Sequence, residues 1–537
     1  MNRLFYGDNL PILREHISDG SVDLIYLDPP FNSDANYNVL FRSPTGESSA
    51  AQLEAFGDTW HWNETAEDAF DEVMKSGNTD ASEMLRSMRG FLKENDMMAY
   101  LAMMTIRLIE LHKKLKKSGS IYLHCDPTAS HYLKIILDSV FGKLNYRGEL
   151  IWRRTNARGT SGKWPRLHDT IFFYSKSEDF YFSPQKIKAE LGKTPHTLIT
   201  GPDGLKYQTY ELTGAGRTKD GQSGRPWRGF DPNTFGRHWG YAQKRLEEWN
   251  DAGLIHWPKD SGFPRRRDSV PFDASARLVV LGSVWTDVDR LNQASKERLG
   301  YPTQKPLALL ERILAASSKP GDLVLDPFCG CGTTVHAAQK MERRWIGIDV
   351  THLAVSLIRR RLVDAFPSSQ FEVLGAPKDI GGARQLAEND KHQFQLWALS
   401  LIEAQPFRGG RKGADGGVDG YLYFKPDGKT TEKAIVSVKG GANVGVAMVR
   451  DLIATVEREG AKIGVFLTLE DPTTRMRVEA TATGFYESPM HGKFAKIQIL
   501  TVEELFDGAR PHLPWIDGSV FRKARRENTE KQGDFDL

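Results

Sequence analysis

Cysteine is nearly absent. Cys125, Cys329 and Cys331 are the only three in 537 residues, too few for a disulfide framework or a four-ligand zinc site. Long apolar runs are absent too. No stretch of about eighteen apolar residues occurs, so the sequence predicts no membrane-spanning helix. The opening Met-Asn-Arg-Leu-Phe lacks the architecture of a secretory signal and already reads as a strand. The net charge is only +3, so the chain is not polybasic as a whole. These absences predict a protein of a reducing, bacterial-type cytoplasm with no membrane partner. What is present is ordinary for a globular chain, with 40% hydrophobic and 26% charged residues. The length predicts about three to four domains.

The residues that organise the chain are 326–334, Asp-Pro-Phe-Cys-Gly-Cys-Gly-Thr-Thr. A short apolar run precedes them at 322–325 and an amphipathic stretch follows at 335–341. That order is strand, glycine turn, helix, and a buried parallel strand reads as a continuous apolar run. Gly330 and Gly332 let the backbone come close to a ligand. The helix that follows aims free N–H groups and its positive dipole end at that ligand. A second strand, 344–348, ends at Asp349, where an acid commonly holds ribose hydroxyls. A lone Gly-x-Gly fits a packing turn equally well; strand, turn, helix, strand and acid in sequence predict a nucleotide-like ligand. Cys329 and Cys331 flank Gly330 as small side chains of a tight loop.

A second motif lies far upstream. Residues 22–33 read Val-Asp-Leu-Ile-Tyr-Leu-Asp-Pro-Pro-Phe-Asn-Ser, an apolar strand ending in an acid, two prolines and an aromatic. Asp28-Pro29-Pro30-Phe31 together with Phe328-Cys329-Gly330-Cys331-Gly332 resembles the amino-methyltransferases of DNA, which modify the exocyclic nitrogen of adenine or cytosine. In that family Asp-Pro-Pro-Phe/Tyr is catalytic and Phe-x-Gly-x-Gly binds S-adenosylmethionine. The catalytic motif comes first here, which is the permuted order called the beta class. The resemblance covers roughly residues 1–365.

The resemblance implies roles for single residues. Asp28 accepts one N–H of the target amino group and the Pro29 carbonyl the other. The Pro29-Pro30 pair stiffens the backbone, and Phe31 stacks on a base flipped out of the duplex. An acid at position 28 rather than Ser favours adenine N6 over cytosine N4, and the chemistry calls for no metal. Asp326, Phe328, Gly330, Gly332 and Asp349 belong to the cofactor site. Asp8 is expected near the adenosyl group, which is compatible with an ordinary helix N-cap in Gly-Asp-Asn. The strand before Asp8 should then lie beside the strand ending at Asp349. Thr303 and Lys305, in Tyr-Pro-Thr-Gln-Lys-Pro at 301–306, hold the methionine end of S-adenosylmethionine.

Between these motifs the chain alternates strands and helices. Residues 97–117 carry helical spacing, with Leu101, Met104, Leu108, Leu111 and Leu115 on one face, and Ser118-Gly119 ends the helix. Strands follow at 120–125, 148–152 and 170–174. The rhythm predicts a doubly wound, mostly parallel α/β sheet with ligands at the carboxyl ends of its strands. From 153 the rhythm fails and Gly, Pro, Arg and Trp accumulate. Residues 153–300 hold 25 Lys and Arg against 17 Asp and Glu, with six of the twelve tryptophans. Such a stretch suits phosphates and stacking, and the family places target recognition there. Arg153, Arg154, Arg158, Lys163, Arg166, Arg265, Arg266 and Arg267 are the candidates for DNA contacts, although any one of them alone reads equally as a solvated surface arginine.

The last third is different. Asp419 precedes a strand at 421–424, and Lys439 ends the strand 434–438. The pair resembles the Mrr-like branch of the restriction-endonuclease fold, whose motif is an Asp, then an acid or Gln, one residue, and Lys. The resemblance implies that Asp419 binds Mg2+ and Lys439 steadies a hydroxide or phosphate. The middle position is Ser437, a weaker metal ligand, so a fold retained for DNA binding or docking is the alternative to an active nuclease.

The expected organisation is a catalytic half at 1–152, a target-recognition region at 153–295 and a cofactor-binding half at 296–365. A linker at 366–392, an Mrr-like domain at 393–510 and a charged tail at 511–537 follow. The fold class is an S-adenosylmethionine-dependent methyltransferase sheet plus a smaller α/β restriction-endonuclease-like domain. The expected function is site-specific adenine N6 methylation of double-stranded DNA in a restriction–modification system. Cytosine N4 methylation and a DNA-binding protein with decayed sites are the alternatives. A restriction subunit or a second copy of the chain is the expected protein partner.

Overall fold

Nine strands form the main sheet of the computed structural model: β1 (Asn2–Tyr6), β2 (Val22–Leu27), β3 (Leu115–Cys125), β4 (Tyr146–Arg153), β5 (His168–Ser175), β6 (Val284–Trp285), β7 (Leu323–Asp326), β8 (Arg344–Asp349) and β9 (Phe371–Leu374). Their order is β6-β4-β5-β3-β2-β7-β8-β1-β9. Every neighbouring pair is parallel except the two made by β5, which runs against β3 and β4. β1 pairs with β8, Tyr6 opposite Asp349, so the first strand of the chain lies where the resemblance puts it. Central strands are buried on both faces; Leu24, Ile25 and Leu27 of β2 are fully buried, as parallel sheets under helices require. The structure describes residues 1–30, 37–40, 52–56, 61–155, 162, 164–188, 198–218, 221–258, 263–272, 278–292, 295, 297–299, 301, 303–407, 417–427, 430–514 and 526–527.

The helix Asp96–Lys114 packs on this sheet. Asn95 caps it by accepting from the Met98 N–H at 2.9 Å, and His112, Lys113 and Lys114 face its negative end. Leu101, Met104, Leu108 and Leu111 are buried, as their spacing predicts. The helix ends three residues earlier than the sequence suggests. Leu115 already pairs with Val22 and starts β3, and Lys116 reaches Asp23 at 2.7 Å. Ser118-Gly119 therefore marks not a helix end but an irregularity inside a strand, where the register with β2 shifts.

The chain divides into two compact units. One comprises residues 1–183 and 282–537, the other 184–281. The latter is narrower than the expected recognition region of 153–295, because β5 and β6 are strands of the main sheet. The second unit is built from short strands, the largest set being Leu198–Thr200, Lys206–Glu211, Ile255–His256 and Arg265–Arg267. Leu212, Trp227, Trp239, Leu246 and Ile255 form its core.

The stretch expected as a linker, 366–392, holds regular elements. It contains β9, an edge strand on β1, and a helix, Ile380–Asn389, whose Ala383 and Ala387 are buried in the C-terminal core. That C-terminal lobe has a five-stranded sheet of β10 (Gln405–Pro406), β11 (Gly420–Phe424), β12 (Glu432–Lys439), β13 (Ile463–Thr468) and β14 (Ile497–Thr501), in that order. Its first two pairings are antiparallel and its last two parallel. In the charged tail, Glu527 lies 3.3 Å from His336 and 3.5 Å from Lys340. Among the described residues no helix is long and apolar enough to cross a membrane.

Candidate active site

One cavity of about 290 Å³ opens at the carboxyl ends of the central strands. Its walls come from both sequence motifs, although they are three hundred residues apart. Asp28 and Pro30 follow β2, Asp8 follows β1, Asp326 ends β7 with Phe328 and Gly330 after it, Asp349 ends β8, and Thr303 and Lys305 precede the helix Leu307–Ser317. Parallel pairing of β2 with β7 and of β7 with β8 brings these strand ends together. Pro29 and Gly332 do not line the cavity. Gly332 caps the helix Thr333–Lys340 in the left-handed conformation, φ 75°, and a side chain there would stand 2.7 Å from Ile358. Phe31, Arg158 and Lys163 lie outside the described residues.

Two polar atoms of the cavity are buried with no hydrogen-bond partner among the described residues, Asp28 Oδ1 and the Tyr301 hydroxyl. The other Asp28 oxygen is ion-paired with Lys305 Nζ. The resemblance puts Lys305 at the methionine end of a cofactor; here its ammonium also holds the carboxylate of the Asp-Pro-Pro motif. An orphaned acceptor beside a tied one is costly to bury, and it suits a ligand that brings N–H groups.

The two acids on the cofactor side are perturbed. Burial pushes Asp326 up to about 7, against hydrogen bonds from Thr334 and the Phe328 N–H, with Asp28 and Asp349 adding repulsion. Burial likewise pushes Asp349 up to about 6, against hydrogen bonds from Thr351 and the Gly330 N–H. Gly330, at φ 51°, donates to Asp349 Oδ2 at 2.8 Å, which folds the glycine turn onto β8. A site lined by raised carboxylates favours a cationic ligand. The residues therefore fit S-adenosylmethionine, whose sulfonium and ammonium groups are positive.

Sequence reasoning missed several residues here. Arg107, from the helix Asp96–Lys114, is buried at the cavity wall. It donates to Asp8 Oδ1 at 2.8 Å and to Asn9 Oδ1 at 2.6 Å, and Asn9 in turn donates to the Pro327 carbonyl at 2.9 Å. A lone arginine inside an apolar helix face was the available signal. Asp8 itself caps the helix Asn9–His16 through the Leu10 N–H. Tyr26, His124 and Asp169 form a further buried set behind the cavity.

The basic residues separate into two kinds. Arg265–Arg267, candidates for phosphate or base-edge contacts, form a strand and are internally engaged. Arg265 donates to Thr209, Arg266 stacks on Tyr210 and Trp249, and Arg267 stacks on Tyr207 and donates to the Gly253 carbonyl. Arg154 is ion-paired with the buried Asp169 at 3.3 Å, and Arg153 donates to the Thr286 carbonyl. Arg166 is mostly exposed and bonds Thr128 beside Asp126, past the end of β3. Trp164, two residues before it, is 94% exposed, a large aromatic in water on a basic loop.

In the C-terminal lobe Asp419 immediately precedes β11 and donates its N–H to the Val436 carbonyl of β12. Its Oδ2 accepts from the Val438 N–H at 2.6 Å and the Ser437 hydroxyl at 3.2 Å, and lies 3.7 Å from Lys439 Nζ. Gln395, on the helix Lys391–Leu401 and not anticipated from sequence, donates to Asp419 Oδ1. The set offers one carboxylate. No group of three or more His, Cys, Asp or Glu able to hold a metal stands among the described residues. A Mg2+ ion at Asp419 would need phosphate oxygens and water to complete its shell.

Comparison with known proteins agrees with this division. Residues 22–360 match a family model described as DNA methylase, and residues 386–506 one described as restriction endonuclease. The chain is 30% identical over 300 residues to the type II methyltransferase M.EcaI of Enterobacter cloacae, covering 55% of this chain and 65% of that protein. It is 25% identical over 355 residues to the Mod subunit of the type III restriction-modification enzyme StyLTI of Salmonella typhimurium, covering 63% and 50%. It is 40% identical over 113 residues to the DNA adenine methyltransferase YhdJ of Escherichia coli, covering 21% and 35%. The chain thus spans half to about two thirds of the length of the first two relatives. Among solved structures, the DNA modification methylase TTHA0409 of Thermus thermophilus, complexed with S-adenosyl-L-methionine, aligns at 15% identity and a TM-score of 0.34, covering 70% of this chain and 100% of that one.

Proposed function

The chain belongs to the DNA methylase family, and from that premise we propose that it transfers the methyl group of S-adenosylmethionine to adenine N6 in double-stranded DNA. The observation that carries the reading is the Asp28 carboxylate, buried in the cavity with one oxygen tied to Lys305 and the other unpartnered among the described residues.

The chemistry follows from the amino group. Its lone pair is delocalised into the ring, which makes it a poor nucleophile. Hydrogen bonds that hold its two N–H groups out of the ring plane localise that pair on nitrogen. Asp28 Oδ1 is one acceptor, and the Pro29 carbonyl is proposed as the other. Lys305 holds the Asp28 carboxylate in place, so the acceptor is preorganised. Asp326, Asp349, Gly330 and Thr303 line the cofactor end of the same cavity, and Arg107 holds Asp8 there. S-adenosylmethionine supplies an activated methyl group; alignment of nitrogen with that carbon provides much of the acceleration. The base must leave the duplex to reach a site this buried. An acid at position 28, and the similarity to an adenine methyltransferase, support adenine over cytosine.

Exposed Arg166 and Trp164, on the loop between β4 and β5, are proposed to meet DNA near this site by phosphate contact and by stacking. For the C-terminal lobe we carry Mg2+-dependent DNA cleavage as the candidate second activity, supported by Asp419 and Lys439 at 3.7 Å. Loss of plasmid nicking or linearisation in Asp419→Ala supports it, and an intact plasmid with the unaltered protein and Mg2+ overturns it. The Mod-subunit relative supports a separate restriction subunit as partner in a restriction–modification system.

The methylation reading is tested with Asp28→Ala and a radiolabelled methyl donor. Transfer to DNA should fall about a thousandfold, the scale of a lost general base or its orienting bond. S-adenosylmethionine binding should stay within about threefold. Loss of both would make Asp28 a structural residue and overturn its assigned role.

A further inference from the structure

The buried polar string behind the cavity has no part in the steps above. The Tyr26 hydroxyl lies 2.8 Å from His124 Nδ1, His124 Nε2 lies 3.2 Å from Asp169 Oδ2, and Asp169 Oδ1 is 3.3 Å from Arg154. Tyr26, His124 and Asp169 are 1%, 0% and 0% exposed. They stand on β2, β3 and β5, three neighbouring strands, so the sheet itself sets their spacing. Tyr26 is also a cavity wall, two residues before Asp28 and on the same side of the strand.

The string has a direction. Asp169 keeps its charge: burial raises its carboxyl, but the hydrogen bond from His124 and the nearby cations Arg154 and Lys305 outweigh burial and lower it. A carboxylate only accepts, so His124 Nε2 carries a proton. With its Nε2–H donated to Asp169, Nδ1 is the ring atom left to take the Tyr26 O–H, 2.8 Å away. The phenolic oxygen is left with acceptor lone pairs, on a residue that lines the cavity. Three packed residues far from one another in sequence thereby fix the polarity of one hydroxyl.

We infer that His124 and Asp169 are positioning residues that hold Tyr26 as a hydrogen-bond acceptor, available to the positively polarised methyl group of S-adenosylmethionine. This rests on the methyl-transfer reading. An oxygen acceptor beside polarised C–H bonds is a weak contact, yet a fixed one costs no reorganisation when the reaction occurs. A hydroxyl free to rotate would instead offer its proton and repel the same group.

Nitrogen-15 spectra of the His124 ring in the ligand-free full chain give the first readout. A neutral ring protonated at Nε2 is expected. Asp169→Asn can present an amide N–H to Nε2 and should move the ring proton to Nδ1. An imidazolium, or an Nδ1–H ring in the unaltered protein, overturns the inference whatever the enzyme does. In methylation assays Tyr26→Phe and Asp169→Asn should each lower kcat about tenfold or more, with Kd for S-adenosylmethionine within about threefold. The double variant should be no worse than the poorer single, because both act through one hydroxyl. Additive losses, or unchanged kcat, overturn it. Tyr26→Phe removes one atom and keeps the packing, so it still decides the matter if Asp169→Asn fails to fold. If the unaltered protein methylates no DNA, the functional reading fails while the ring spectrum still answers for the string.

Discussion

Asp326 and Asp349 show how single residues tie the site to pH. Their carboxyls stand at about 7 and about 6 in the folded chain, against about 3.9 unfolded. A raised pKa means the protonated form stabilises the fold. That contribution is complete below about pH 4 and is lost as pH rises through about 6 to 7. A cationic cofactor favours the ionised forms, so binding should release protons, and affinity should rise between about pH 5.5 and 8. Calorimetry in buffers of different ionisation enthalpy measures that release, and Asp326→Asn should reduce it. Equal affinity at both ends of the range would contradict the assignment. At this scale the sequence showed what is local: Asp28, Asp326, Gly330 and Asp349 sit in motifs that name their chemistry. Arg107, Tyr26, His124 and Asp169 do not, because each is an ordinary core position until strand pairing brings its partner within reach. The partners of Arg265–Arg267 were not legible for the converse reason, since a cluster of charge in sequence says nothing of the aromatic rings it stacks on.

The glycine turn is the element on which the cofactor half depends. Gly332→Ala must hold a left-handed backbone and push against Ile358 at 2.7 Å. The expected loss of stability is about 2–4 kcal/mol, combining backbone strain with overpacking. Gly20→Ala is the control, with φ 63° but nothing within 4 Å of the added carbon; strain alone should cost about 1–2 kcal/mol. Equal losses in denaturant unfolding would show that the fit against Ile358 is unimportant. Elements themselves were readable wherever burial is two-sided or helical spacing is long. The helix Asp96–Lys114 was expected in place but too long, because a Ser-Gly pair reads the same in a helix terminus and in a strand irregularity. The edge strand Phe371–Leu374 was missed because four residues carry too short a pattern to separate from a linker.

At the scale of the molecule, a sheet carrying the methylase motifs and a lobe with a separate core share one unit of the chain, and residues 184–281 form another. Separate cores predict separable activities. Asp419→Ala should leave methylation within about twofold, because Asp419 binds only groups of its own lobe among the contacts described. A collapse of methylation would mean that the lobe supports the first site. One neighbour pair of the sheet, β1 beside β8, was legible because the permuted motif order starts the chain partway through the sheet. The extent of the inserted unit was not, since β5 and β6 carry no motif and fall inside a stretch whose composition had changed. The central claim is adenine N6 methylation, and the direct measurement is mass spectrometry of nucleosides from duplex DNA incubated with the full chain and S-adenosylmethionine. N6-methyladenine is the predicted product. N4-methylcytosine would contradict the base assignment drawn from Asp28 while leaving the fold and the cavity intact, and the absence of any methylated base would contradict the account of the site itself.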